Sequence, residues 1–166
     1  MPTRRTVLTN AIFIALASPF AHFAQAGPGH SKPHGPIKKE QKDWGIAGDA
    51  KSVKRSIVVG MSDQMRFTPD KISVKHGETI RFTAKNRGKM MHEFVIGTKK
   101  ELDEHAALML KFPNMEHDEP YMMHVAPGKT AQIIWTFNRA GDFDFACLIP
   151  GHYQEGMVGH ISVTPT

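Results

Sequence analysis

The sequence predicts an all-β sandwich or barrel, and three observations predict it. Short apolar runs alternate with polar residues from Ser56 onward. Gly, Pro and Asn clusters interrupt them at close intervals, and a helical pattern occurs only once. Many short alternating strands with such punctuation are the pattern of a two-layer β domain.

The elements follow in order. Ile57-Val58-Val59 is the first apolar run, and Met65-Arg66-Phe67 leads into a turn at Thr68-Pro69-Asp70. Ile72 and Val74 alternate with polar neighbours, His76-Gly77-Glu78 turns, and Ile80, Phe82 and Ala84 alternate again. After a turn at Asn86-Arg87-Gly88 comes His92-Glu93-Phe94-Val95-Ile96. The helix starts at Thr98, whose spacing to Glu101 is that of a capping box. Leu102, Ala106 and Met109 share one face, and Pro113 ends the element. The segment from there to Gly128 reads as irregular and rich in Met and His. Strands then cover Thr130 to Phe137, Asp142 to Cys147 and Gly159 to Val163.

At 166 residues the chain suits one domain. Its start is excluded from that domain. Arg4 and Arg5, the apolar run Ala11 to Leu16, and Ala24-Gln25-Ala26 read as an export signal over residues 1–26. The apolar run is too short to span a bilayer. The context of the arginines fits a twin-arginine signal as well as an ordinary secretory one. Export implies a periplasmic protein with no membrane span after processing. Residues 27–54, opening with Gly27 to Pro36, read as a flexible tail carrying His30 and His34, and residues 55–166 as the folded domain. The net charge is +5, and losing Arg4 and Arg5 lowers it by two. No dense basic stripe interleaved with aromatics appears, so no nucleic-acid partner is expected.

Cysteine use narrows the chemistry. Cys147 is the only cysteine, so no internal disulfide forms, and a lone thiol in an oxidising compartment is a liability unless buried or metal-bound. Ten Met and ten His supply side chains that suit copper. Cys147, His152 and Met157 fall within eleven residues as C-x4-H-x4-M, and His92 lies far upstream. Two imidazoles, one thiolate and a weak axial thioether describe a blue-copper electron-transfer site.

Strand parity agrees. Side chains at i, i+2 and i+4 line one face. His92 continues the row of Phe94 and Ile96, Cys147 that of Phe143 and Phe145, and Met157 that of Ile161 and Val163. His152 comes from the loop, which Pro150 and Gly151 turn. Each residue alone has a plainer alternative: a buried core thiol, a hydrogen-bonded strand end, a core methionine. Zinc suits Cys and His but rarely takes Met.

With those residues on the page, the chain resembles the cupredoxin family, which includes plastocyanin, azurin and pseudoazurin. Within it the chain is most similar to small periplasmic cupredoxins linked to bacterial copper tolerance. The carrying segments are Met91 to Gly97, His117-Asp118-Glu119-Pro120, Ala126 to Thr130 and Phe145 to Tyr153. The resemblance implies a Greek-key sandwich of about eight strands with one short helix in an insert, one type 1 copper, and no catalysis of its own. It matches His92, Cys147, His152 and Met157 to the family's ligands, and the Met91 carbonyl to a weak axial position. Many members carry Asn after the first histidine, where it braces the ligand loop. Here that residue is Glu93.

The insert between Thr98 and Gly128 holds His105, Met109, Met115, His117, Met122, Met123 and His124, a candidate second, softer copper site or docking surface. Two roles stay open: a single-electron carrier serving a redox partner, and a copper-handling protein that sequesters or oxidises Cu(I). A multicopper enzyme is disfavoured, because the neighbours of Cys147 are Ala146 and Leu148 rather than histidines. His160 is expected to face solvent, and His76 has no assigned role.

Overall fold

A computed structural model describes residues 39–113, 115 and 118–165. The export signal, His30, His34 and His117 lie outside the described residues. The described chain forms ten strands and one α-helix in two five-stranded sheets. The strands are β1 (Ile46–Ala47), β2 (Arg55–Ser62), β3 (Arg66–Thr68), β4 (Lys71–Lys75), β5 (Glu78–Asn86), β6 (His92–Gly97), β7 (Met122–Val125), β8 (Thr130–Phe137), β9 (Gly141–Ala146) and β10 (Val158–Thr164). The helix α1 (Lys99–Lys111) lies between β6 and β7. One sheet runs β1-β8-β5-β2-β3 and the other β4-β10-β9-β6-β7. The β2–β5 and β4–β10 pairs are parallel, and the remaining pairs antiparallel.

The core lies between the sheets because each strand turns one apolar row inward. Phe67 and Phe82 from the first sheet meet Phe94 and Phe145 from the second. The Phe94 and Phe145 rings stack at 4.9 Å between centroids. Gly159 makes room for this cluster, since a Cβ there would run into the Phe145 ring. Phe94 is two residues after His92 and Phe145 two before Cys147, so the stack forms the floor under both side chains.

The helix matches its expected cap and face. The Thr98 side chain accepts from the Glu101 N–H, and Leu102, Ala106 and Met109 are buried. These three pack on Val95, Met122, Ala146 and Leu148, the outer face of the second sheet. As a result β6 is buried on both faces along its whole length.

Two expectations are corrected. Residues 39–54 are not a flexible tail. Trp44 is buried in the core, its carbonyl accepts the Trp135 indole N–H at 2.9 Å, and β1 pairs with the edge of β8. The Gly/Pro-rich composition behind that reading ends at Pro36, whereas Trp44 and Ile46 supply an apolar anchor and an edge strand. Gly45 allows the close approach, because its φ is +130° and a Cβ would meet the Thr136 carbonyl. The segment before Gly128 is likewise not wholly irregular. Its β7 exists because it can pair along β6, from His92↔Val125 to Val95↔Met122. β1 and β7, at two and four residues, are the strands beyond the eight runs read from the sequence.

Candidate metal centre

His92 opens β6, Cys147 directly follows β9, and Met157 directly precedes β10. These ends come together because β9 pairs with both β6 and β10. The antiparallel ladder continues past Val158↔Ala146 through a bond from the Cys147 N–H to the Met157 carbonyl at 3.1 Å. The loop between them is closed again by the Met157 N–H on the His152 carbonyl, 3.0 Å, and by the His152 N–H on the Ile149 carbonyl, 3.0 Å. Arg66 donates to the Glu155 carbonyl at 2.9 Å and fixes the loop's far side.

Three donor atoms converge there. Cys147 Sγ lies 3.2 Å from His152 Nδ1 and 3.9 Å from His92 Nδ1. Among the described residues, His92, Cys147 and His152 form the one group of three His, Cys or acidic side chains whose ligand atoms lie within 4.8 Å of one another. Metal–imidazole and metal–thiolate bonds of about 2.0 and 2.3 Å, arranged trigonally, place nitrogen and sulfur about 3.7 Å apart. The observed separations bracket that value, so the residues fit a small first-row metal ion. Met157 is fully buried in the same cluster as Cys147. His92, Cys147 and Met157 are all closed to solvent, and His152 alone of the four shows an edge, at 8 % exposure.

Electrostatics favour a neutral set until a cation arrives. Burial pushes the Cys147 thiol up to about 12, against the opposing pull of the Glu93 and Ile149 N–H groups. Burial, followed by the neighbouring His92, holds His152 below the usual imidazole range. Desolvation disfavours the charged form in both cases. A thiolate buried here therefore needs a compensating cation.

Several supporting residues carried no sequence signal. Asp63, just beyond β2, places Oδ1 3.2 Å from His92 Nε2. The Asn86 amide donates to the carbonyls of Met90, at 2.7 Å, and Val125, at 2.8 Å, and its oxygen accepts the Gly88 N–H at 2.8 Å. It thereby shapes the turn before His92. Its one readable cue was a polar residue ending an apolar strand row. The departure at Glu93 is also explained. Its backbone N–H donates to Cys147 Sγ at 3.2 Å, while its buried carboxylate turns to the other face and meets His124 Nε2 at 2.7 Å. Met91, ahead of β6, has an exposed side chain.

The candidate accessory copper residues are not brought together. Met123 points into the sandwich core, whereas Met109 and Met122 lie under the helix on the opposite face of the sheet. Met115 is exposed, His105 sits on the helix, and His124 is paired with Glu93. Adjacent strand residues point to opposite faces, so Met122 and Met123 cannot share one ion. His160 faces solvent as expected, between Asp142 and Asp144.

A two-sheet sandwich with a His, Cys, His cluster at one end defines a cupredoxin-type metal protein. Residues 53–164 match the model of the copper binding proteins of the plastocyanin/azurin family, and the chain belongs to that family. It is 45% identical over 154 residues to a copper-resistant cuproprotein, CopI, of Rubrivivax gelatinosus, covering 90% of this chain and 93% of that one. A CopI of Pseudomonas aeruginosa is 36% identical over 187 residues, covering 95% and 97%. Among solved structures, auracyanin B superposes with a TM-score of 0.61 at 18% identity, covering 73% of this chain and 96% of that one. A reduced auracyanin of Roseiflexus castenholzii gives 0.59 at 22%, covering 68% and 99%. At those identities the likeness shows the fold. No helix among the described residues is long and apolar enough to cross a membrane.

Proposed function

We propose that this chain is an exported, periplasmic type 1 copper protein of copper tolerance, which binds one copper ion and passes single electrons to or from it. The convergence of His92, Cys147 and His152 within 4.8 Å carries this reading. Met157, buried in the same cluster as Cys147, would be the fourth ligand. Similarity to two copper-resistance cuproproteins over nearly the whole chain supports the physiological setting.

Copper, when bound, supplies a centre that accepts and returns one electron. The protein's own part is to hold the donors still. Cys147 gives up its thiol proton and becomes the anionic ligand. His92 and His152 would present Nδ1, the ring nitrogens that face Cys147 Sγ. The hydrogen-bonded loop and the aromatic floor would hold these donors in one arrangement, so that little rearrangement need accompany electron transfer. The soft Met157 thioether supports Cu(I), and the imidazoles support Cu(II). The exposed edge of His152 is where an electron enters or leaves, toward a redox or copper-handling protein partner.

The chain catalyses no reaction of its own under this proposal. Cys147 is flanked by Ala146 and Leu148, both buried beneath α1, so the strand offers no bridge to a second metal centre. A dedicated electron carrier is the second reading, favoured by the single exposed ligand edge. Two measurements test the proposal. The copper-loaded protein should show an intense thiolate-to-copper visible band that Cys147→Ala abolishes. Loss of the gene should sensitise cells to copper. An unchanged Cys147→Ala spectrum overturns the site, and normal copper growth with impaired electron flow favours the carrier.

A further inference from the structure

Asp63 and His92 belong to different sheets. Asp63 directly follows β2 of one, and His92 opens β6 of the other. The Asp63 carboxylate collects three donors from the segment that carries His92. Oδ2 accepts the Lys89 N–H at 2.7 Å, and Oδ1 accepts the Met90 N–H at 3.3 Å and faces His92 Nε2 at 3.2 Å. Gly88 leaves space for this contact, since a Cβ there would overlap the Asp63 carboxylate. Both Asp63 oxygens already act as acceptors toward backbone N–H groups, so the geometry sets Oδ1 to accept from Nε2 and leaves Nδ1 to present its lone pair. That lone pair is the one facing Cys147 Sγ at 3.9 Å.

We propose that Asp63 is a positioning residue for the metal centre, one that fixes the His92 tautomer by accepting its Nε2–H and biases the bound copper toward Cu(II). The inference rests on the copper reading above. A carboxylate behind a ligating histidine raises the basicity of the ligand. A more basic donor, and a negative charge beside it, stabilise the more highly charged ion more. Removing the charge should therefore weaken Cu(II) binding more than Cu(I) binding.

The test uses two variants and two readouts. Nitrogen-resolved NMR of the metal-free protein should show His92 protonated at Nε2. Asp63→Ala, which removes the acceptor, should give a mixture of tautomers. Asp63→Asn can still accept from Nε2–H but lacks the charge. A redox titration of its copper-loaded form, one electron per copper against a mediator couple, should show the Cu(II)-to-Cu(I) affinity ratio lowered about tenfold. That is an upward midpoint shift of about 59 mV. Wild-type His92 protonated at Nδ1 overturns the proposal even if both variants fail to fold. So does an Asp63→Asn potential that is unchanged or lower. Failure of the copper reading looks different: no thiolate-to-copper band in the wild type, with the metal-free tautomer still readable.

Discussion

The backbone N–H of Glu93 points at Cys147 Sγ from 3.2 Å, while the Glu93 side chain lies on the opposite face of β6 against His124. A ligand-bracing contact is thus supplied by the main chain, which any residue other than proline provides. The identity of the side chain answers to its other neighbour. Glu93 and His124 are directly paired across β6 and β7.

Glu93→Gln should accordingly keep the thiolate-to-copper band at the wild-type position, since the N–H to Cys147 is retained. His124→Ala should cost about 1–3 kcal/mol in urea unfolding, because a buried carboxylate loses its hydrogen-bond partner. Adding Glu93→Gln to His124→Ala should recover part of that loss, and a double-mutant cycle measures the coupling.

The metal-free protein should lose stability in alkali through Cys147. Its thiol is raised from 9.0 to about 12 in the folded state. A raised group contributes stability that is complete below its unfolded value and is lost as pH rises toward the folded one. The expected loss is about 1.4 kcal/mol per pH unit between pH 9 and 12, on the scale of one pKa unit. Cys147→Ala should lack this component, read as the difference between the two unfolding curves against pH.

Copper uptake at neutral pH should release the Cys147 thiol proton. The Cys147 thiol is protonated there, and His152, held below the usual imidazole range, has no proton to give. Calorimetry in buffers of different ionisation enthalpy counts the protons, and apparent affinity should rise about tenfold per pH unit above neutrality.

Trp44→Ala should destabilise the domain by about 3–5 kcal/mol, the usual range for truncating a buried tryptophan. The visible spectrum should not change. Trp44 docks by Trp135, which pairs with Ile80 near the start of β5, whereas the turn before His92 begins at Asn86, where β5 ends. Denaturant unfolding and absorption spectra check the two halves separately.

The converging His92, Cys147 and His152, and Met157 beside them, were legible from local pattern. Cys147 is a lone cysteine in an apolar row, and His92 and Met157 extend rows whose parity local sequence defines. The helix was legible down to its cap, since Thr98, Glu101, Leu102, Ala106 and Met109 act within a few turns of one another. Asp63 was not, because nothing local distinguishes a carboxylate after a strand, and its partner is 29 residues away on the other sheet. The methionine-rich insert misled for a related reason. Composition cannot say which face of β7 each residue takes, and Met122 and Met123 divide between two cores.

The sequence by itself therefore determined the β class, the helix and the three residues, His92, Cys147 and His152, that converge at one end of the sandwich. Strand period, turn residues and donor chemistry are properties of neighbours along the chain. Only the tertiary structure decided that residues 39–54 join the sandwich, that β6 is buried on both faces, and that Asp63 stands behind His92. Those depend on which edges pair and which faces are covered. Such contacts form between segments far apart in the chain, and they become defined only when both sheets and the helix close on one core.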